Sequence, residues 1–126
     1  MITTTINTFD VFLIGRITES SVHNKRDFHA LAELIRSMGD VSIAIPGDLF
    51  DEIDTHDWKE KDYLRLASAV LAQARCVVTL NGWEQDQNAR TLVRIAREIG
   101  IPVIPAETVK HAIANGNDWL PNDDRA

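Results

Sequence analysis

The sequence predicts an open, doubly wound α/β fold: one layer of four or five parallel strands flanked by helices. Three observations predict it. Short apolar runs alternate with segments of helical period along the whole chain, the pattern of parallel βαβ units. The run Cys76–Leu80 is apolar nearly throughout, as a parallel strand covered on both faces requires. And 126 residues are enough for one hydrophobic core and not for two. The domain is expected over 1–116, followed by a polar tail over 117–126.

The elements follow in order. Phe9–Ile14 reads as the first strand and runs straight into Gly15. Asn24–Met38 is helical, with Phe28, Leu31, Ala32, Ile35 and Met38 on one face, Asn24 as its cap and Gly39 as its stop. Val41–Ile45 is a second strand, closed by Pro46-Gly47. Asp57-Trp58-Lys59-Glu60 has the spacing of a capping box, so a helix is expected from there to about Ala74. After the third strand, Asn81–Gln85 is a loop. A helix over Gln87–Glu98 is expected, with Ala89, Leu92, Val93, Ala96 and Ile99 on one face and Gly100 as its stop. Ile101–Ile104 is a short fourth strand, and Ala106–Asn115 a last helix stopped at Gly116. In the tail, Trp119-Leu120 is an apolar pair able to dock.

Composition excludes several classes of function. The net charge of −6 and the acidic isoelectric point near 5.1 oppose sequence-independent binding to nucleic acid. No apolar run is long enough to span a bilayer. The first ten residues hold no basic stretch followed by an apolar one, so no secretory leader is expected and a cytoplasmic location is. The single cysteine, Cys76, permits no internal disulfide or paired-cysteine metal site and reads as packing in a buried strand. The histidines His23, His29, His56 and His111 show no zinc-ligand spacing. No glycine-rich dinucleotide fingerprint and no P-loop is present, so no cofactor is expected. His23 and His56 could meet Asp54, Asp57 and Ser20 or Ser21, but a triad is defined by geometry and not by proximity in sequence.

In open α/β sheets ligands sit beyond the carboxyl ends of the strands. The loops at that end are Gly15–His23, Pro46–Asp57, Asn81–Asp86 and Pro105–Thr108. Two of them carry a family pattern. Phe12-Leu13-Ile14-Gly15-Arg16-Ile17-Thr18 resembles the strand-and-loop opening of the nucleoside 2-deoxyribosyltransferase superfamily. Leu80-Asn81-Gly82-Trp83-Glu84 resembles the L-P-G-W-E segment of its small DUF4406 branch. The resemblance runs from about Val11 to Pro105. It implies a flavodoxin-like fold and a cleft for a nucleoside or nucleotide, in which active members break or exchange an N-glycosidic bond through a glutamate nucleophile. It also implies pairing into a homo-oligomer. The positions it assigns to ligand binding are Gly15, Arg16, Thr18, Gly82, Trp83, Glu84 and Asn88.

The chemical positions of that pattern are changed here. Counting from Gly82, the nucleophile position holds Leu92, the serine position Asp86 and a glycine position Asn88. An aspartate position before the third strand holds Arg75, another falls at Ala67, and Glu19 replaces the second opening glycine. Leucine can neither attack a carbon nor carry a proton, which closes the covalent route through Leu92. That residue also lies on the apolar stripe of its helix, so core is its expected place. Asp86 is expected to cap the following helix with its own carboxylate, which would repel a phosphate at that spot.

The remaining residues have more than one role open. Arg16 is either an anion or base contact at the cleft mouth or a surface arginine paired with Glu19 or Asp48. Trp83 is a wall of a base pocket, a cap on the core or a subunit contact. Glu84 is a displaced general base or a helix-dipole partner. Three functions follow. The first is a pseudoenzyme that binds a nucleoside, a nucleotide or a derivative of one. The second is an N-glycosidase or transferase with relocated carboxylates, for which Glu84, Asp86 and Asp62 are candidates. The third is a protein-interaction module using the acidic segment 48–57 and the tail.

Overall fold

The computed structural model describes residues 9–16, 22–46, 48 and 59–121. Strand β1 (Phe9–Ile14) is followed by helix α1 (Val22–Arg36) and a two-residue strand β2 (Ile43–Ala44). Helix α2 (Glu60–Leu71) then leads into strand β3 (Ala74–Thr79). A single 3-10 turn (Trp83–Gln85) precedes helix α3 (Gln87–Glu98), strand β4 (Val103–Pro105) and helix α4 (Ala106–Ala114). The strands form one all-parallel sheet in the order β2-β1-β3-β4, the doubly wound arrangement expected from the alternation of elements.

Alternation along the two central strands divides the core in two. Phe12 and Ile14 of β1 and Val77 of β3 pack with Leu71 of α2 and Leu92, Val93 and Ala96 of α3. Val11 and Leu13, with Cys76 and Val78, face the other way against Phe28, Leu31 and Ile35 of α1 and Val109 of α4. Successive strand residues point to opposite faces, so a strand buried on both sides must be apolar at every position. Each fully buried large side chain contributes about 1.5–3 kcal/mol, and both central strands are buried over most of their length.

Several boundaries differ from the sequence expectation. Helix α1 begins at Val22, which places Asn24 inside the first turn rather than at the cap, and it ends at Arg36. Gly39, with φ of +151°, carries the chain out of the turn after it. Helix α2 starts two residues later than the capping box at Asp57 implies. Lys59 is the boundary residue, and the Asp62 carboxylate accepts its backbone N–H at 2.8 Å. Asp57–Glu60 and Lys59–Asp62 both place a carboxylate three residues past the boundary position, so that carboxylate alone does not select a register. The helix stops at Leu71 and β3 begins at Ala74, because Ala74 already pairs with Phe9. Strand β2 is shorter than Val41–Ile45 and lies at the sheet edge, with one neighbour to pair with. Strand β4 starts at Val103 rather than Ile101.

The carboxyl-side segment 117–121 is docked. Trp119 and Leu120 pack against the core on the α1 side, and Arg75 bridges Asp10 Oδ1 at 3.2 Å and the Pro121 carbonyl. Asp10 also accepts from the Ser42 backbone N–H at 3.0 Å, so the amino end of the sheet is tied together by one carboxylate and one guanidinium. No described helix is long and apolar enough to cross a membrane.

Candidate functional site

The strand order reverses direction between β1 and β3, since β1 connects outward to β2 on one side while β3 and β4 extend on the other. A crevice at such a switch point is where open α/β sheets bind ligands. One lies there, with a volume of about 480 Å³. Its base is Gly15-Arg16 after β1 and Leu80-Asn81 after β3, held side by side by the Leu80 N–H donating to the Ile14 carbonyl at 2.8 Å. Phe28, Leu31 and Asp27 of α1 form one wall, and Ala106 and Lys110 of α4 the other.

Gly15 is required by the closeness of that wall. A Cβ there would come within 2.8 Å of Phe28 Cζ and 3.3 Å of Leu80 Cβ. The absent side chain lets the α1 aromatic close over the strand end, which seals the cleft floor with carbon. Polar groups sit around it: a guanidinium (Arg16), an ammonium (Lys110), a carboxylate (Asp27) and a carboxamide (Asn81). Lys110 Nζ lies 3.5 Å from Glu107 Oε1. Helix α4 has no capping side chain at its first turn, and Ala106 of that turn lines the cleft. Arg16 donates from Nη1 to Gln85 Oε1 at 3.1 Å, so the loop after β1 is tied to the 3-10 turn after β3. Asp48 meets His29 Nε2 at 3.1 Å, on the outer side of α1.

The structure divides the sequence-derived site residues into groups. Gly15 and Arg16 line the cleft. Trp83 and Glu84 do not. They face a separate groove along α3, and Trp83 packs on the α2–α3 half of the core. Gly82 has φ of +89°, a left-handed conformation that suits glycine, and it starts the 3-10 turn. Asn88 is half-buried in the first turn of α3 and lines neither the cleft nor that groove. Thr18, Glu19, Ser20, Asp54, His56 and Asp57 lie outside the described residues.

The three positions tied to chemistry are placed clearly. Leu92 is 3% exposed, in the core between α3 and the sheet, with Phe12, Ile14 and Val77 in the same cluster. Asp86 caps α3, its Oδ1 accepting the Ala89 N–H at 3.0 Å. Arg75 sits within β3, at the end of the sheet opposite the cleft, bound to Asp10. Among the described residues, no group of His, Cys, Asp and Glu side chains is placed to hold a metal ion. Burial pushes the Cys76 thiol up to about 12, with Arg75 pulling it down and Asp10 adding to the rise. The thiol is therefore neutral and inert in the folded chain.

Sequence reasoning missed Asp27 and Lys110 as cleft residues. Both lie on helices, where the face turned toward the cleft depends on how the helix docks. Asn81 could have been found, as the first residue past Leu80 at the carboxyl end of β3.

No curated protein and no solved structure matches the chain. A family model described as a domain of unknown function, DUF4406, matches residues 9–105, from the first residue of β1 to the last of β4. The chain belongs to the DUF4406 family.

Proposed function

We propose that this protein binds a nucleoside, a nucleotide or a derivative of one in the switch-point cleft, and does not cleave it. The observation that carries the proposal is the makeup of that cleft. An apolar floor is ringed by Arg16, Lys110, Asp27 and Asn81. A flat base needs apolar contact and a few fixed polar groups, as small-molecule sites generally provide. Ribose hydroxyls suit Asp27 and Asn81, which accept and donate hydrogen bonds. A phosphate suits Arg16, Lys110 and the uncapped first turn of α4. The resemblance to nucleoside 2-deoxyribosyltransferases gives the same ligand class, and self-association through that resemblance is part of the same proposal.

Absence of cleavage rests on Leu92. A leucine buried in the core supplies neither nucleophile nor proton carrier. The relocated-carboxylate alternative gains little support from the candidates named for it. Asp86 is committed to the α3 cap, Asp62 to the start of α2, and Glu84 faces the α3 groove. Of the described residues lining the cleft, Asp27 is the carboxylate.

Equilibrium dialysis against a pooled panel of nucleosides and nucleotides, read by mass spectrometry on both sides, tests the proposal. An unchanged species enriched with the protein is expected. Appearance of a free base would replace the binding role with a glycosidase or transferase. Enrichment of nothing would remove the nucleotide reading and favour a protein partner.

A further inference from the structure

Trp83 and helix α3 form a groove that the cleft does not use. It has a volume of about 440 Å³ and lies on the α2–α3 side of the sheet, whereas the cleft is walled by α1 and α4. Arg90, Arg94 and Arg97 line it, spaced i, i+4 and i+7, so all three guanidinium groups rise from one helical face. Arg90 is anchored, donating from Nη1 to the Glu84 carbonyl at 2.6 Å. Arg94 and Arg97 have no ion-pair partner among the described residues, although Glu98 shares the groove with them. Val93, 1% exposed, forms the floor and half-buried Trp83 a wall.

We infer that this groove is a second binding site, for an aromatic phosphate monoester whose ring lies against Trp83 and whose phosphate is held by Arg94 and Arg97. Guanidinium groups bind phosphate through paired hydrogen bonds and so fix its orientation. Arg94 and Arg97 are about 4.5 Å apart along the helix axis, close enough to share one dianion. An indole face accepts a flat ring by stacking. The carboxylates set the ligand's size. Glu84 lies at one end, where Arg90 donates to its carbonyl, and Glu98 lies at the other, about 12 Å past Arg90 along the helix axis. A nucleic acid strand or an acidic peptide running along the groove would meet a carboxylate at each end, while a compact dianion meets the arginines between them.

Calorimetric titration of the full chain with phenyl phosphate, and with inorganic phosphate at the same ionic strength, tests the site. Saturable one-to-one binding is expected, tighter for phenyl phosphate. The exposed double variant Arg94→Gln/Arg97→Gln should weaken it by about tenfold or more, the share of a charge-assisted hydrogen bond. Trp83→Leu should bring phenyl phosphate down to the level of inorganic phosphate. Lys110→Gln, which lies in the cleft and has no contact with the 3-10 turn, should leave groove binding unchanged, so this inference and the proposed function fail separately. Weak, unsaturable heat that no variant alters would mean an adventitious ion only and overturn the inference. Loss in Lys110→Gln but not in the double variant would move the ligand to the cleft. A dimer by sedimentation that the double variant dissociates would assign the groove to a second copy of the chain.

Discussion

A Cβ on Gly15 would stand 2.8 Å from the Cζ of Phe28, closer than real side chains pack. That one contact links the end of β1 to α1 and fixes the floor of the cleft. Gly15→Ala must push the Phe28 ring aside, and Leu80 Cβ at 3.3 Å leaves little room on the other side. Overpacking of this kind costs about 1–3 kcal/mol. Chemical denaturation should show that loss for Gly15→Ala, and Phe28→Leu in the same chain should restore part of it. Equal stability of Gly15→Ala and the parent would mean that α1 lies farther from the strand end.

Leu92 offers a sharper test, because the proposed likeness to deoxyribosyltransferases and the packing give it different roles. Leu92→Ala should cost about 2–5 kcal/mol in urea denaturation, as for a filled core site. Leu92→Glu should cost at least as much by placing an unpaired carboxylate among Phe12, Ile14 and Val77, and it should release no free base from any nucleoside. A stable, cleaving Leu92→Glu protein would show that the position opens on the cleft.

Most of the fold was legible because the signals it rests on are local. Each strand run and each helical stripe declares itself within about ten residues, and the glycines at 39, 100 and 116, all with positive φ, lie just past the helices they were expected to stop. The start of α2 lies two residues past the expected one because Glu60 and Asp62 each stand three residues beyond a possible boundary, and the carboxylate is the feature the two registers share. The site was legible only in part. Gly15 and Arg16 follow directly from the end of a strand, but Trp83 and Glu84 lie only two and three residues after Asn81 and still face a different groove. The left-handed Gly82 and the 3-10 turn redirect the chain between them, and no side-chain pattern announces that turn. Asp27 and Lys110 join the cleft through helix docking, a long-range outcome.

Cys76 makes a pH-dependent prediction. Its folded pKa is raised from 9.0 to about 12, chiefly by burial. The unfolded thiol ionises first, so its contribution to stability is full below pH 9 and is lost as the pH rises from 9 toward 12. The stability of the parent should therefore fall more steeply over that window than that of Cys76→Ala. Thiol reagents at pH 8 should leave the folded chain unmodified and label it once urea unfolds it. Rapid labelling of the native protein would contradict the burial.

Arg75 holds the segment 117–121 in place more than it stabilises the core. Its pair with Asp10 is partly exposed, and its buried Nε has no hydrogen-bond partner, a cost that offsets the pair's gain. Arg75→Leu should change the global unfolding free energy by about 1 kcal/mol or less. Amide exchange over residues 117–120 should nevertheless quicken, since the Pro121 carbonyl loses its donor. Unchanged exchange there would show that Trp119 and Leu120 hold the segment without it.

Nucleotide occupancy of the switch-point cleft can be read residue by residue. The most direct measurement is a backbone amide NMR titration with the common nucleosides and their 5′-monophosphates, one at a time, followed by mass analysis of the recovered ligand. Saturable shifts centred on Gly15, Arg16, Leu80, Asn81 and Lys110 are predicted, for at least one compound, with that compound recovered intact. No saturable shift at these amides, or recovery of free base, would contradict a binding cleft that leaves the glycosidic bond whole.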